Sequence, residues 1–318
     1  MNKPVPLPAI FHLDGVVAYE PVLPEEPLRA LTLHHRDGRM LCRTGLPEEA
    51  PPPNRVRKAH VTFTFGSSEG DEVPIVTTID AKPGLEIFEL IPDDAGRDEH
   101  VVQRFRDIAD QLGSEPLRHF VSDVFSMPDV FRCFWTCPGS QQHHHARPGG
   151  LAEHSIEMAE QVVAMDRLDF KDRDIGTVFA LLHDIGKIWL YTDKDSPWNR
   201  VGHEILGLQH VMHPLASLEA EWPDAAAALA VLLSGRWRCR DGKAVLAIAE
   251  VVRGLDQLNA ERDLRTKSAG RFAPWEPSDW AQSRASPVTR TKTFPTQHSH
   301  DRPRFRPDCP SRLPRVKA

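Results

Sequence analysis

The apolar residues of this 318-residue chain change their spacing once, near residue 93, and this change limits the folds open to it. Before that point apolar and polar residues alternate in short runs, as strands with one buried face require. After it, apolar residues recur every three or four positions, which is the spacing of an amphipathic helix. We therefore expect a small β-rich domain, residues 1–92, followed by a helical domain, residues 93–268.

Several strand candidates, separated by turn signals, occupy the first 92 residues. "LRALTLHHRDGRMLCRTG" alternates on both sides of Asp37-Gly38, which predicts a β-hairpin. "RKAHVTFTFG" and "VPIVTTID" predict two more strands. Four or five short strands in this length indicate a small barrel, and an oligonucleotide-binding barrel is one candidate type.

The helical pattern from Asp93 onward predicts an all-α domain of six to eight helices. It ends near Ala269. The last 48 residues hold eight prolines and carry ten Lys and Arg against four Asp and Glu. Such a segment cannot bury enough apolar surface to offset its ordering entropy, so residues 269–318 are predicted to be a disordered basic tail.

Composition excludes several classes of protein. No apolar run approaches the ~20 residues that a membrane span needs, and the N-terminus lacks the apolar stretch of a signal peptide. Five scattered cysteines are not a disulfide framework. We expect a cytoplasmic protein with no membrane partner.

The chemistry of the chain is concentrated around "ALLHDIGK", which contains His183 and Asp184. A vicinal His and Asp at the end of an apolar helix can offer one nitrogen and one oxygen to a divalent ion. Burying the carboxylate is costly unless it is paired or coordinated. Gly186 allows another backbone to approach closely, and Lys187 adds a cation for an anionic substrate.

"HDIGK", with "GGLAEH" upstream and "LDQLNA" downstream, resembles the HD superfamily of metal-dependent phosphohydrolases. The resemblance implies a mainly α fold with an HD-type helical bundle behind the β domain. It also implies a divalent metal held by His154, His183, Asp184 and Asp256. His203 matches the "GH" that follows "HDxGK" in these families, and it is a further candidate for a metal or phosphate contact.

"FWTCPGSQQHHHARPGGLAEHSIEMAE" resembles the start of the HD domain in two groups of nucleic-acid enzymes. One is the YhaM-type 3′-to-5′ exoribonucleases, and the other is the TraI-like MobH relaxases of conjugative elements. The run of three histidines favours the relaxase group. The exoribonuclease group often has an "HHG" element where this chain reads "LLSGRWRCRDG", which lacks histidine.

The function implied is hydrolysis or transesterification of nucleic acid phosphodiesters, with single-stranded DNA or RNA and the conjugation machinery as partners. Mn²⁺ is the expected metal, with Mg²⁺, Fe²⁺ or Ni²⁺ as alternatives. Asp184 and Lys187 are the predicted catalytic residues. The predicted phosphate contacts are His143, His144, His145, Arg147, Gly149, Gly150 and Lys187.

Three other functions stay open on the sequence alone: a YhaM-type exoribonuclease, a nucleotide phosphohydrolase, and an HD protein that binds nucleic acid without cleaving it. A relaxase also needs a nucleophile, often tyrosine. Tyr191 lies close to the "HD" pair in sequence, but a tyrosine at this point of a helix is more often a packing residue.

Overall fold

The structure, a computed structural model, describes residues 9–19, 28–46, 56–68, 71–82, 86–98, 100–141, 145–192, 197–236 and 246–267. The predicted disordered tail, residues 269–318, lies outside the described residues. Within these ranges a β unit is followed by a helical unit, and the two are in contact.

Five strands form the β unit and close into a barrel in the order β1-β2-β3-β5-β4. They are β1 (Ile10–Tyr19), β2 (Arg29–His35), β3 (Gly38–Thr44), β4 (Arg57–Ser68) and β5 (Asp71–Ala81). All neighbouring strands pair antiparallel except β3 and β5, which pair parallel. The predicted hairpin is confirmed, since β2 pairs with β3 from Arg29↔Thr44 to His35↔Gly38. Gly38 begins β3 at a φ of +137°, which a residue with a side chain rarely adopts.

Inward-facing residues from all five strands fill the barrel interior. Its buried core consists of Val17, Leu31, Leu33, Cys42, Ala59, Val61, Phe63 and Val76. The parallel contact between β3 and β5 closes the wall, and closure removes the unpaired edges that an open sheet would expose.

The helical unit begins with four short elements, α1 (Ile87–Leu90), α2 (Val101–Gln111), α3 (Glu115–Phe125) and α4 (Pro128–Cys133). It continues with α5 (Gly150–Val163), α6 (Phe170–Leu182), α7 (Lys187–Thr192), the 3-10 turn Pro197–Val201, α8 (His203–Glu221), α9 (Pro223–Leu233) and α10 (Ala247–Lys267). Prolines lie in the first turn of α3, α4 and α9, where the missing N–H costs least.

The outer wall of the barrel packs on the helices. Val16 and Val56 belong to the helical core and not to the barrel interior. The Val56 amide donates to the Ser126 carbonyl at 2.7 Å, and the ring of His34 lies edge-on to Phe131 at 5.1 Å. The two units therefore share an interface that contains both apolar and polar contacts.

The prediction of a mainly α chain built on an HD-type helical bundle is wrong. Five strands close into a complete barrel with a core of its own, so the chain combines a β unit and a helical unit. The helices include elements of only four and six residues and pack around one shared core. Apolar spacing identifies helices singly, but it does not determine how they pack. The small β-rich unit in the same prediction is present.

None of the helices in the described ranges has the length and apolar content that crossing a bilayer demands.

Candidate metal centre

His183 and Asp184 lie where α6 ends. His183 is the C-terminal cap of α6, and the chain turns over residues 183–186 before α7 begins at Lys187. The His183 Nε2 is 3.4 Å from the Asp184 Oδ2. The turn thus brings the nitrogen and oxygen of two adjacent residues onto one side of the chain.

Gly186 lets α8 approach this turn closely. A Cβ at position 186 would lie 1.8 Å from the carbonyl oxygen of His203 and 2.6 Å from the Gly207 amide nitrogen. The contact is backbone against backbone, so a side chain could not be accommodated by a rotamer change. The close approach places His203 beside Asp184, with its Nε2 2.9 Å from Asp184 Oδ1.

His154 on α5 and Asp256 on α10 complete the cluster. The His154 Nε2 lies 3.3 Å from the His183 Nε2 and 3.2 Å from the Asp256 Oδ1. It is also 3.7 Å from the Asp184 Oδ2. Each of His154, His183 and Asp256 offers one ligand atom, and these three atoms all lie within 4.8 Å of one another.

These separations fit ligand atoms that share one divalent ion. Two ligands bound at about 2.1 Å from one ion lie roughly 3.0 Å apart in octahedral geometry and 3.4 Å apart in tetrahedral geometry. The separations of the His154 and His183 nitrogens from each other and from the two carboxylates fall within or slightly beyond that range. The described cluster could therefore hold a metal ion through His154, His183 and Asp256, with Asp184 against both imidazoles at its edge.

The orientation of His183 agrees with a ligand role. Its Nδ1 lies 2.8 Å from the Ala180 carbonyl oxygen, which can only accept a hydrogen bond. Nδ1 must therefore carry the proton, and in a neutral ring the lone pair of Nε2 then points into the cluster. A backbone carbonyl on the second nitrogen is the usual partner of a metal-bound histidine.

Asp184 is buried and is held by two further groups. Lys187 Nζ donates to Asp184 Oδ2 and to the Gly139 carbonyl, the latter at 2.6 Å. His203 contacts the other oxygen of the same carboxylate. Lys187 and His203 thus fix the carboxylate from two sides, and Lys187 ties it to the loop before α5.

The charge states of the cluster follow from these contacts. Burial alone would raise the pKa of Asp184, but His183, Lys187 and His203 together hold it well below its usual value. Burial also opposes ionisation of Asp256, yet the hydrogen bond with His154 and the nearby His183 lower its pKa. Burial lowers the pKa of His183. At neutral pH the carboxylates are charged and His183 is neutral, which are the forms that bind metals.

The predicted phosphate-binding loop is only partly described. His143 and His144 lie outside the described residues. The His145 Nε2 lies 3.1 Å from Asn259 Oδ1. Arg147 makes a bidentate contact with the Glu153 carboxylate, in which its Nη1 donates to Oε1 at 2.5 Å and its Nη2 contacts Oε2. Gly149 caps α5 with a φ of +80°, and Gly150 is the first residue of that helix.

Sequence reasoning missed the polar residues that surround this loop. They are Glu153 and Glu157 on α5, Asn259 on α10 and the Gly139 carbonyl. Asn259 follows Asp256 by three residues in "LDQLNA", so the two share a helix face. That spacing was the available signal for Asn259, but the sequence does not show which residues of α5 Asn259 contacts.

Other side chains with possible chemistry are not part of the described ligand group. The His210 ring stacks on Trp189 at 3.8 Å. Tyr191 is half-buried and packs against the helical core, and burial raises the pKa of its hydroxyl. Cys133 and Cys137 are both buried thiols.

Comparison with models of known protein families, with curated proteins and with solved structures finds no match to this chain. The chemistry of the site is therefore argued from its geometry.

Proposed function

We propose that this chain is a metal-dependent phosphodiester hydrolase that acts on nucleic acid in the cytoplasm. The observation that supports the proposal most strongly is the convergence of two imidazole nitrogens and an aspartate oxygen from α5, α6 and α10. The proposal rests on this ligand set and its order along the chain, and not on the arrangement of the helices.

Mn²⁺ is the metal proposed. Two imidazoles with carboxylates form a mixed donor set, whereas Mg²⁺ favours sites made of oxygen ligands. Fe²⁺ and Ni²⁺ are compatible with the same donors. A divalent ion held by His154, His183 and Asp256, with Asp184 beside them, would supply Lewis acidity and lower the pKa of water toward neutrality.

The residues around the ligands keep the site charged and oriented. Lys187 and His203 hold Asp184 in one rotamer and keep it ionised, which preserves a negative site for a cation. The Lys187 ammonium is largely buried and lies against Asp184, so it brings a fixed positive charge close to where a phosphate would meet the site. His203 is partly exposed, so it is the imidazole of this cluster that faces an incoming substrate most openly.

Hydrolysis by water is proposed in preference to transfer onto a tyrosine. The hydroxyl of Tyr191 would have to ionise to attack phosphorus, and burial makes that ionisation harder. Its ring is also part of the packing of the helical core. Relaxase-like transesterification would need a nucleophile other than Tyr191.

The barrel supports nucleic acid as the substrate class. On β3 the outward residues are Arg39, Leu41 and Arg43, and Leu41 is 60% exposed. Two arginines on one strand face can contact phosphates of a bound strand, and five-stranded barrels of the oligonucleotide-binding type bind single strands. Because the barrel packs against the helical unit, a strand bound on it would remain attached to the body that holds the metal cluster.

The proposal is tested by hydrolysis assays with Mn²⁺ on single-stranded DNA, single-stranded RNA, nucleoside triphosphates and bis-p-nitrophenyl phosphate. The double variant His183→Ala/Asp184→Ala should lose hydrolysis by at least about a hundredfold, while binding of single strands persists. The matched control is His213→Ala/Asp172→Ala, in which the same residue types are removed from exposed positions on α8 and α6.

Hydrolysis that survives in His183→Ala/Asp184→Ala would place catalysis elsewhere and refute the proposal. Turnover of nucleoside triphosphates without cleavage of DNA or RNA would replace nucleic acid by nucleotides as the substrate. Strand binding without any hydrolysis in the wild type would indicate a binding protein.

A further inference from the structure

The two halves of α10 are held to the rest of the molecule by different forces. In the first half Ile248, Ala249 and Val252 are buried in the helical core. Ile248 packs directly over Gly176 on α6, where a Cβ would lie 2.4 Å from the isoleucine side chain. Beyond Val252 the described side chains are exposed or partly exposed, up to a single buried residue, Asn259.

The metal ligand of α10 lies beyond these buried residues, where the apolar contact with the helical core comes from the partly buried Leu255. Asp256 is 44% exposed, and it reaches the cluster through its contact with His154. Since a carboxylate on a helical segment with so little apolar packing can move away from its partner, a further polar contact would help to hold this segment against α5.

Asn259 makes that contact, one helical turn after Asp256. Its Nδ2 donates to Glu157 Oε2 on α5 at 2.9 Å, and its Oδ1 lies 3.1 Å from His145 Nε2. Because Oδ1 can only accept, the His145 Nε2 carries a proton here. The amide is therefore satisfied on both sides, by α5 and by the loop that precedes α5.

The backbone of His145 is held in place by contacts within the loop that precedes α5, independently of α10. His145 has a φ of +52°, the left-handed region that residues with a side chain seldom adopt. Its carbonyl accepts from the amides of Gly139 at 2.9 Å and Arg147 at 2.8 Å. A Cβ on Gly150 would lie 2.0 Å from that carbonyl oxygen, so only glycine fits there.

We propose that His145 is a positioning residue, which clamps the second half of α10 onto α5 through Asn259 and so holds Asp256 within reach of His154. This assigns the third histidine of the "HHH" run a role other than the phosphate contact predicted from the sequence. The inference rests on the proposed metal site for its functional consequence, but the clamp itself is a property of the protein without metal.

The test compares His145→Ala, Asn259→Ala and the double variant with the control Gln257→Ala. Gln257 lies next to Asp256 on α10 with its side chain exposed, so its removal samples the same helix without the clamp. His145→Asn is added because asparagine tolerates the left-handed backbone but cannot span the distance covered by the imidazole. It should behave like His145→Ala if the ring contact, and not backbone strain, is what matters.

Two readouts are taken on the full chain. In metal-free protein, amide hydrogen exchange over residues 253–261 should become at least about tenfold faster in the clamp variants, while exchange in α5 and α6 stays unchanged. In isothermal titration with Mn²⁺, each single variant should bind about 10- to 100-fold more weakly, as loss of outer contacts to a metal ligand usually does. The double variant should bind no more weakly than Asn259→Ala, because the His145–Asn259 contact is already broken in that single variant.

The inference is overturned if exchange over residues 253–261 in the clamp variants matches that of Gln257→Ala. It is also overturned if the clamp variants bind Mn²⁺ as tightly as the wild type, or if exchange accelerates equally in α5, α6 and α10, which would indicate general destabilisation. Absence of Mn²⁺ binding in the wild type would refute the proposed metal function, and hydrogen exchange would still decide whether the clamp exists. Should His145→Ala fail to fold, Asn259→Ala gives the same two readouts.

Discussion

The barrel and the helical unit fill their interiors in opposite ways. The described barrel strands bury apolar side chains, the Cys42 thiol and the Thr44 hydroxyl, which donates to the Val76 carbonyl, and they bury no charged side chain. The helical unit also has an apolar core, but it buries Glu153, His154, Asp174 and Asp184 as well. Buried charges cost stability unless they are paired. The difference indicates that the barrel interior contributes to stability, whereas the helical unit accepts the stability cost of the buried charges in its polar site.

The largest effect on the free energy of unfolding is expected at Gly186, where the turn after α6 and α8 are in backbone contact. Gly186→Ala places a methyl group 1.8 Å from the His203 carbonyl, so α8 must move away and the free energy of unfolding should fall by about 3 kcal/mol or more. Urea denaturation measures this. Gly254→Ala is the matched control, because a Cβ there meets nothing within 4 Å. It should stabilise the helix by about 0.5–1 kcal/mol. An equal effect of the two substitutions would contradict the close approach of α8.

Leu33→Ala tests whether the barrel interior is separate from the site. Leu33 is fully buried in the barrel core, so its truncation should lower the free energy of unfolding by about 2–5 kcal/mol. Mn²⁺ affinity of the folded protein should remain within about twofold of the wild type, since no ligand contacts the barrel core. A large loss of metal affinity in a folded Leu33→Ala protein would show that the two interiors are coupled.

Asp184→Asn tests the buried charge. Removing one partner leaves the Lys187 ammonium unpaired, which should cost ~3 kcal/mol at neutral pH. The folded pKa of Asp184 lies below its unfolded value, so its stabilisation is present above about pH 4 and is lost as the pH falls further. The difference in unfolding free energy between wild type and Asp184→Asn should therefore shrink between about pH 4 and pH 2. A difference that is constant over this range would contradict the ion pair.

The smallest effect is expected in the reactivity of the Cys42 thiol, which lies inside the closed barrel. Burial raises the pKa of Cys42 to about 11, so its thiolate is scarce at pH 8. Labelling with a thiol reagent followed by peptide mass spectrometry should modify Cys42 only when the protein unfolds. Rapid modification of Cys42 in the native protein would mean that the barrel opens readily.

The sequence predicted the individual elements better than their arrangement. Alternation located the β2–β3 hairpin because each strand has one buried face, and helical spacing indicated for the same reason that the chain beyond Asp93 is helical. Packing of the helices was predicted wrongly, since it depends on contacts between residues far apart in sequence, such as Gly186 with His203. The ligand atoms of His154, His183 and Asp256 do come together. The environment of His145 could not be foreseen, because nothing in the sequence pairs it with Asn259, which lies 114 positions away and meets it only where α10 packs near α5.

The proposed function requires a divalent ion at the meeting point of α5, α6 and α10, and the metal content of the protein tests this requirement most directly. The chain is produced without a histidine tag, treated with a chelator, incubated with Mn²⁺, desalted and analysed by inductively coupled plasma mass spectrometry. Wild type and His213→Ala should retain stoichiometric Mn²⁺, whereas His183→Ala and Asp256→Asn should retain little. Wild-type protein that retains no metal, or His183→Ala and Asp256→Asn proteins that retain as much as the wild type, would contradict the account.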